Sequence, residues 1–480
     1  MKNAYRLILI IAIFIAIAMF SSCAAQPLPP GTTASPAEAT AAVVVIECGE
    51  QQPDGNPSSK EPLVFVAHAG GFAEGYTESN SAEALRSSAE YGYTLIELDI
   101  ITTSDGRFAL AHDWEYMSNR VPLMPNEPVT AQEFLSYKWF GSLTTVMLDY
   151  LFEGYLDEFP SVRIVTDTKR GDYSSLEYIA ETYPDYIDRF IPQAYAFEDC
   201  DTLRTLGFKD IIVTVYAMPV SAKESPALLA QRALEFDVYA MTIPFELASA
   251  DDYAAALRTG EIKYFVHTVN SPEQAVMLAE LGFCGVYTDT LTYSGGTISV
   301  LDDEAFYAGE AARYNRAIAA LSDNEREILA DSVVCIAGSE LIFRHGTAEM
   351  IDASAMISCF AKDEVFFLPL RKIIGYLNAG TVNSAADGTI SVETDGFVLE
   401  LEVGRTEMTQ RTNGTAEIIA LPIAPAFYRN VCFVPQAVLE ALGFRVTVSG
   451  DTTIIVSANS HFSEEVCRLL AEKISKLLSK

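Results

Sequence analysis

The sequence predicts an α/β chain, a TIM-type (β/α)8 barrel followed by a smaller α+β, stalk-like domain. Three observations predict it. Between residues 62 and 293, eight short β-branched runs alternate with helix-like stretches, the pattern of a parallel sheet wound through βα units. Several of those runs stop abruptly at polar side chains, as strands do where a barrel opens at its C-terminal face. From residue 332 the pattern changes to short strands and Asn, Asp and Gly turns. At 480 residues, half of them hydrophobic and 11% aromatic, the chain has material for two or three packed domains.

The first stretch, residues 1–23, reads as an address. Lys2 and Arg6 precede the apolar run Leu7–Phe20, and Ser21-Ser22-Cys23 follows. A Cys directly after small residues resembles a bacterial lipobox, which implies cleavage before Cys23 and lipidation of its thiol, although Phe20 is an unusual residue there. The alternative is an uncleaved anchor, for which the apolar run is short of the ~20 residues a spanning helix needs. Both readings place the rest of the chain outside the cytoplasmic membrane, and the lipobox makes the expectation an extracytoplasmic, membrane-anchored bacterial lipoprotein. Residues 24–61, rich in Ala, Pro, Thr, Gly and Ser, read as a flexible tether.

Eight strands are expected at Leu63–Ala67, Thr94–Ile100, Arg163–Thr168, Phe190–Ala194, Asp210–Tyr216, Val238–Ile243, Tyr264–Val269 and Gly285–Thr288. The intervening segments, such as SPALLAQRALEF and SPEQAVMLAELG, place apolar residues at helical spacing, and several end in Gly. Trp114–Phe159 is too long for an ordinary barrel loop and carries the aromatics Trp139, Phe140, Tyr150 and Phe152; it resembles the insertion that roofs the active site in a known barrel family, the alternative being extra outer packing. Residues 294–331 read as a helical connector with a capping box at Ser322–Glu325. In residues 332–458, Phe366–Arg371 leads into a helix-like stretch and the strand Thr389–Val392. Val431–Gln436 repeats the order, leading through AVLEALGF to Thr452–Val456. Residues 459–480 form a terminal helix, read as a solvated cap.

The chemistry concentrates at two strand ends. Glu97 and Asp99, at i and i+2, share one face of a strand. Two buried carboxylates on one face are expensive unless a cation neutralises them; the bland alternative is a strand with its polar face in water. His68 ends the first run, and His112-Asp113 follows the second within a chain of only five histidines.

His68-Ala69-Gly70, Asn80-Ser81-Ala82-Glu83-Ala84, Glu97-Leu98-Asp99, His112-Asp113, Asp167-Thr168-Lys169 and Gly285-Val286-Tyr287-Thr288-Asp289 together resemble the ordered motifs of glycerophosphodiester phosphodiesterases over residues 62–293. The resemblance implies Ca²⁺ or Mg²⁺ held by Glu97, Asp99 and Asp167, which suits a hard cation's preference for carboxylate oxygen. It further implies acid–base work by His68 and His112, with Lys169 supplying positive charge to the phosphate. Gln193, in IPQAY at a strand end, reads as a polar substrate contact or as a hydrogen-bonded structural residue. The attacking oxygen is either water or the substrate's own neighbouring hydroxyl. Three positions depart from the pattern: Ala69 stands for an Arg, Ser79 for a Glu with Glu78 displaced by one, and Asp167 for a Glu. An Ala-His-Ala-Gly-Gly start also occurs in one branch of the family. The repeated Phe-x-Pro, helix, hairpin pattern of residues 332–458 is similar to the N-terminal stalk domain of copper amine oxidases. It carries no copper chemistry, since His345 is its only histidine, and implies a spacer or a module that binds cell wall or protein.

Exclusions follow from composition and motif. With 32 basic against 65 acidic residues the net charge is −33, so nucleic acid is not an expected partner, and a phosphodiester needs a local cation to bind. No Gly-x-Ser-x-Gly elbow, P-loop or strand-following Gly-x-Gly-x-x-Gly occurs, and the eight cysteines show no zinc spacing. His267 could line the pocket but reads as structural, while His345 and His461 carry no assigned role. The expected function is an extracytoplasmic metal-dependent phosphodiesterase acting on glycerophosphodiesters or a related lipid or wall phosphodiester. The alternative is an inactive surface lipoprotein that uses barrel and stalk as a binding scaffold.

Overall fold

The computed structural model describes residues 44–45, 63–169, 171–216, 218, 225–249, 262–294, 297–352, 356–385, 388–456 and 462–478. The signal segment, Cys23 and all of the tether except Val44–Val45 lie outside the described residues, as does His461. Among the described residues no helix is long and apolar enough to cross a membrane.

Eight parallel strands close on themselves: β1 (Val64–Ala67), β2 (Leu95–Thr102), β3 (Arg163–Asp167), β4 (Phe190–Ala194), β5 (Ile212–Thr214), β6 (Ala240–Pro244), β7 (Tyr264–His267) and β8 (Gly285–Thr288). Each pairs with its successor, and β8 pairs with β1 from Gly285↔Val64 to Thr288↔Ala67. The expected strands are all present, with ends shifted by at most two residues. Val66, Leu95, Val165, Ile191, Ile212, Ala240, Phe265 and Tyr287, one from each strand, pack together inside the barrel. The opposite strand faces meet the surrounding helices in a larger apolar layer. Two of those helices start alike. Ser225 and Ser271 accept from the backbone N–H three residues on, with Pro226 and Pro272 in the first turn, where a missing N–H costs nothing.

The insertion after β2 packs differently from the expected roof. Phe108–Leu110 adds an antiparallel strand to the end of β2, and Met117, Phe134, Trp139 and Phe140 bury one another in a separate cluster. Phe152 stacks on Tyr183 at the barrel's outside. Phe152 thus serves outer packing, while Trp139 and Phe140 pack within the insertion's own cluster. The insertion also joins the second domain: the Phe140 carbonyl accepts from Ser358 Oγ at 2.6 Å, and the Arg120 carbonyl from the Tyr428 hydroxyl at 3.0 Å.

The connector is not purely helical. Leu291–Ser294 and Thr297–Val300 form a hairpin, extended by Val44–Val45, before helices Asp303–Ala319 and Asp323–Ala330. Alternating apolar and polar residues in Leu291–Ser294 and Thr297–Val300 give that hairpin its strands. Ser322 and Glu325 form the expected capping box. Beyond it, strand Val365–Pro369 leads into helix Leu370–Leu377, and strand Val431–Pro435 into helix Ala437–Ala441. The two strands pair antiparallel with Phe367 opposite Pro435 and Pro369 opposite Phe433, so the sequence repeat is a local two-fold. The terminal helix Glu464–Leu478 is not a solvated cap. It buries Cys467, Leu470, Ala471, Ile474 and Leu478 at helical spacing, and Lys473 reaches Glu325 at 2.8 Å.

Candidate active site

One periodicity builds the site. In a strand, residues two apart point the same way. Two positions past each of the eight apolar floor residues stand His68, Glu97, Asp167, Gln193, Thr214, Thr242, His267 and Asp289. All except Asp289, together with Tyr216 and Tyr287, line a cavity of about 50 Å³ at the C-terminal mouth. Each strand thus supplies an apolar floor residue and then a polar one, where a barrel carries its chemistry.

Glu97, Asp99 and Asp167 are buried, with ligand-capable oxygens all within 4.8 Å of one another. Three converging carboxylate oxygens suit a hard divalent cation. Each carboxylate is oriented by its neighbours. The Ala69 backbone N–H donates to Glu97 Oε2 at 2.7 Å. Asn80 Nδ2 donates to Asp99 Oδ2 at 3.1 Å while Asn80 Oδ1 accepts the Asp99 N–H at 3.0 Å. Asp167 Oδ1 accepts from the Tyr195 phenol, which is itself 2.7 Å from the Tyr216 hydroxyl. Lys169 Nζ sits 2.7 Å from Asp99 Oδ1 and 3.8 Å from Asp167 Oδ2.

The electrostatics follow from this crowding. Burial raises Glu97, and Asp99 and Asp167 add repulsion that His68 only partly offsets, leaving it at about 8. Burial also opposes charge on Asp99, but Lys169 and both histidines outweigh it and hold the carboxyl below its ordinary range. Lys169 is raised in turn: burial works against its charge, and Asp99 and Asp167 prevail.

Both histidines present the same arrangement. His68 Nδ1 lies 2.7 Å from Asp289 Oδ1, and His112 Nδ1 lies 2.6 Å from Asp113 Oδ2. A carboxylate on Nδ1 sets the ring orientation and leaves Nε2 for chemistry. Burial disfavours a charged His68, yet the hydrogen bond to Asp289 and the charges of Glu97, Asp289 and Asp99 push it up to about 10. Asp113 also caps helix Trp114–Ser118, accepting the Tyr116 N–H at 2.6 Å, which anchors His112 at the mouth.

The structure brings His68, Glu97, Asp99, His112, Asp167 and Lys169 to one end of the barrel, with Gln193 buried beside them and accepting from the Tyr287 hydroxyl at 3.2 Å. His267 also lines the mouth. Sequence reasoning gave no role to Tyr195, Tyr216, Tyr287 or Asn270, and matched Asp289 to a motif without its partner. The two-residue step past each apolar strand residue was the signal that could have found Asp289 and Thr214. His68, Glu78 and Asp289 form a second trio with ligand-capable atoms within 4.8 Å.

Residues 345–456 match the family model of the copper amine oxidase N-terminal domain. Among curated proteins none matches the chain. Solved structures similar to it over the barrel include a glycerophosphodiester phosphodiesterase from Thermotoga maritima, at 18% identity, TM-score 0.38, covering 48% of this chain and 95% of that one. A glycerophosphodiester phosphodiesterase from Agrobacterium tumefaciens shows 15% identity, TM-score 0.38 and coverage of 51% and 99%. An Oleispira antarctica phosphodiesterase in complex with the product sn-glycerol-3-phosphate shows 14% identity, TM-score 0.36 and coverage of 47% and 92%.

Proposed function

We propose that the barrel is a metal-dependent phosphodiesterase acting on glycerophosphodiesters or a related lipid or wall phosphodiester. The observation that supports it most is the Glu97–Asp99–Asp167 trio, near enough to His68 and His112 for both to act on the Asp99 charge, each histidine having its Nδ1 on a carboxylate. The trio would hold Ca²⁺ or Mg²⁺, which supplies charge stabilisation to the non-bridging phosphate oxygens. Lys169 adds an ammonium to the same phosphate, in place of the guanidinium absent at Ala69. One histidine takes the proton from the attacking hydroxyl, of water or of the substrate itself, as its oxygen bonds to phosphorus. The other gives a proton to the alcohol oxygen as the old P–O bond breaks. Where the attacking hydroxyl belongs to the substrate, a cyclic phosphate forms, and water opens it with the two roles exchanged. Gln193, turned toward Tyr287, is a subsidiary polar contact.

We further propose that lipid on Cys23 tethers the chain to the outer face of the membrane through residues 24–61. The charged start, apolar run and Ser-Ser-Cys order support this. The second domain then acts as a spacer or as a wall- or protein-binding module.

The test is hydrolysis of glycerophosphodiesters by the chain from Ala24 onward, with Ca²⁺ or Mg²⁺, with EDTA, and with His68→Ala and His112→Ala. Metal-dependent turnover lost in both variants supports the reading. No turnover and no metal binding would leave an inactive binding scaffold.

A further inference from the structure

The two-residue step that builds the mouth continues once more on four neighbouring strands. Two positions past Glu97, Asp167, Gln193 and Thr214, on β2 to β5, stand Asp99, Lys169, Tyr195 and Tyr216. Asp99 and Lys169 pair at 2.7 Å. The Tyr195 and Tyr216 hydroxyls lie 2.7 Å apart, with their rings edge to face at 5.5 Å. Tyr195 is buried, and its hydroxyl reaches back across to Asp167 on β3. Tyr216 lines the mouth and keeps 44% of its surface exposed.

Each oxygen of an ionised carboxylate has two lone pairs to offer. Asp167 Oδ1 uses both, one on the Tyr195 O–H and one on the Lys169 backbone N–H at 3.2 Å. Glu97 Oε2 accepts only the Ala69 N–H, Asp99 Oδ1 the Lys169 ammonium and Asp99 Oδ2 the Asn80 amide, among the described residues. Asp167 is therefore left with a single oxygen, Oδ2, for a cation. That restriction discriminates between the two hard cations. Mg²⁺ is small, demands near-octahedral geometry and is served by carboxylates that give one oxygen each. Ca²⁺ is larger, takes more oxygens and readily accepts both from one carboxylate.

We propose that Tyr195 is a positioning residue that makes Asp167 a one-oxygen ligand and so biases the barrel mouth toward Mg²⁺ and against Ca²⁺, with Tyr216 holding the Tyr195 hydroxyl in place. The proposal rests on the reading that Glu97, Asp99 and Asp167 hold a divalent cation, whatever reaction the cation serves. Removing the phenol returns a lone pair to Asp167 Oδ1 and lets the carboxylate turn both oxygens toward the ion.

The experiment strips the chain from Ala24 onward of metal, then titrates MgCl₂ and CaCl₂ separately by calorimetry at matched ionic strength. The readout is the ratio of the two dissociation constants. Tyr195→Phe should weaken Mg²⁺ binding at least ~10-fold, as loss of an outer hydrogen bond to a metal ligand generally does. Ca²⁺ should lose less, so that the ratio moves toward Ca²⁺ by at least ~5-fold. Tyr216→Phe should move it the same way by about threefold, and this half-exposed position carries the test should Tyr195→Phe fail to fold. Tyr314→Phe, which deletes a buried phenol in helix Asp303–Ala319, should leave both affinities unchanged. A purely structural role for Tyr195 would weaken both cations alike and leave the ratio where it was. An unchanged ratio in Tyr195→Phe and Tyr216→Phe, a shifted ratio in Tyr314→Phe, or a parent chain that binds neither cation would each overturn the proposal. Hydrolysis is not read: the expected shifts in a chain without turnover would uphold the role of Tyr195 and refute the phosphodiesterase reading alone.

Discussion

Asp289→Asn is the sharpest probe of the catalytic reading, because the surrounding hydrogen bonds dictate how the new amide must turn. Asn270 Nδ2 donates to Asp289 Oδ2 at 2.6 Å. Asn270 cannot flip, since its Oδ1 already accepts the Asp289 N–H at 2.8 Å and the Thr288 hydroxyl at 3.0 Å. The introduced amide must therefore offer its oxygen to Asn270 and its NH₂ to His68. His68 Nδ1 then becomes an acceptor, and the ring proton moves to Nε2. A neutral imidazole protonated on Nε2 neither accepts a proton there nor gives one up readily. The wrong tautomer in a serine-protease triad lowers turnover about 10⁴-fold, and a single acid–base group is generally worth about 10²–10⁴. A loss in that range, roughly 3–5 kcal/mol of barrier, is expected here. The assay is turnover of a glycerophosphodiester at saturating metal, with circular dichroism to verify the fold and calorimetry to follow the metal. Metal affinity should stay within about threefold, because Asp289 is outside the Glu97–Asp99–Asp167 trio. Turnover within about threefold of the parent would refute the tautomer argument. Joint loss of turnover and metal affinity would instead place the ion on the His68–Glu78–Asp289 trio.

Further outcomes are expected. Asp99→Asn should lower divalent-cation affinity at least ~10-fold by calorimetry, since it removes one of three converging charges; unchanged affinity would place the ion elsewhere. Lys169→Met should act with opposite signs on two readouts, binding the cation more tightly once the neighbouring ammonium is gone while slowing turnover at least ~10-fold. A fall in both would make Lys169 a structural residue. In EDTA, thermal stability should fall as pH rises from 5 to 9. Glu97 stays protonated up to about 8, so the unfolded chain ionises first, and the stability His68 adds below its unfolded pKa is lost toward about 10. Added Ca²⁺ should flatten that slope, and a flat profile without metal would contradict the crowding. Gly285→Ala would set a Cβ 2.6 Å from the Phe265 ring and should cost about 1–3 kcal/mol, read by chemical denaturation; a neutral result would mean that Phe265 shifts to make room.

What the sequence made legible was whatever one strand or one helix carries by itself. The eight β-branched runs, the i, i+2 placement of Glu97 and Asp99, and the Ser322–Glu325 capping box need no distant partner, and they stand where expected. The His68–Asp289 pair spans 221 positions, and only closure of β8 against β1 brings it together. Tyr195 likewise reaches Asp167, and Tyr216 reaches the Tyr195 hydroxyl, with no local pattern to mark either. The aromatic run Trp139–Phe140 was legible as apolar but not as to its target, because burial against the insertion's own cluster and a roof over the site use the same residue types. The terminal helix misled for a related reason. Its basic residues suggested a solvated face, while the Cys467, Leu470, Ala471, Ile474 and Leu478 stripe decided its packing.

The three departures from the phosphodiesterase pattern fall where neighbouring groups supply what the altered side chain lacks. Ala69 adopts φ +46°, a left-handed conformation that costs a β-carbon residue about 1–2 kcal/mol. The main chain there uses that conformation: its N–H holds Glu97 and its carbonyl takes the Asn80 N–H at 2.8 Å. The displaced glutamate is absorbed by two further left-handed residues, Glu78 at φ +58° and Asn80 at φ +50°. They turn Glu78 toward the Tyr116 hydroxyl and the His68–Asp289 pair, and Asn80 toward Asp99, while Ser79 stays buried against Ser81 at 2.9 Å. The shorter Asp167 is steadied by the Tyr195 phenol and by the Lys169 N–H at 3.2 Å. A guanidinium fork is the one function without a replacement of its own kind, because Lys169 provides a point charge without planar, paired donors. Phosphate orientation should then rest on the cation and the carboxylate trio more than on side-chain geometry, which is why metal affinity and turnover are expected to part company when Lys169 is changed.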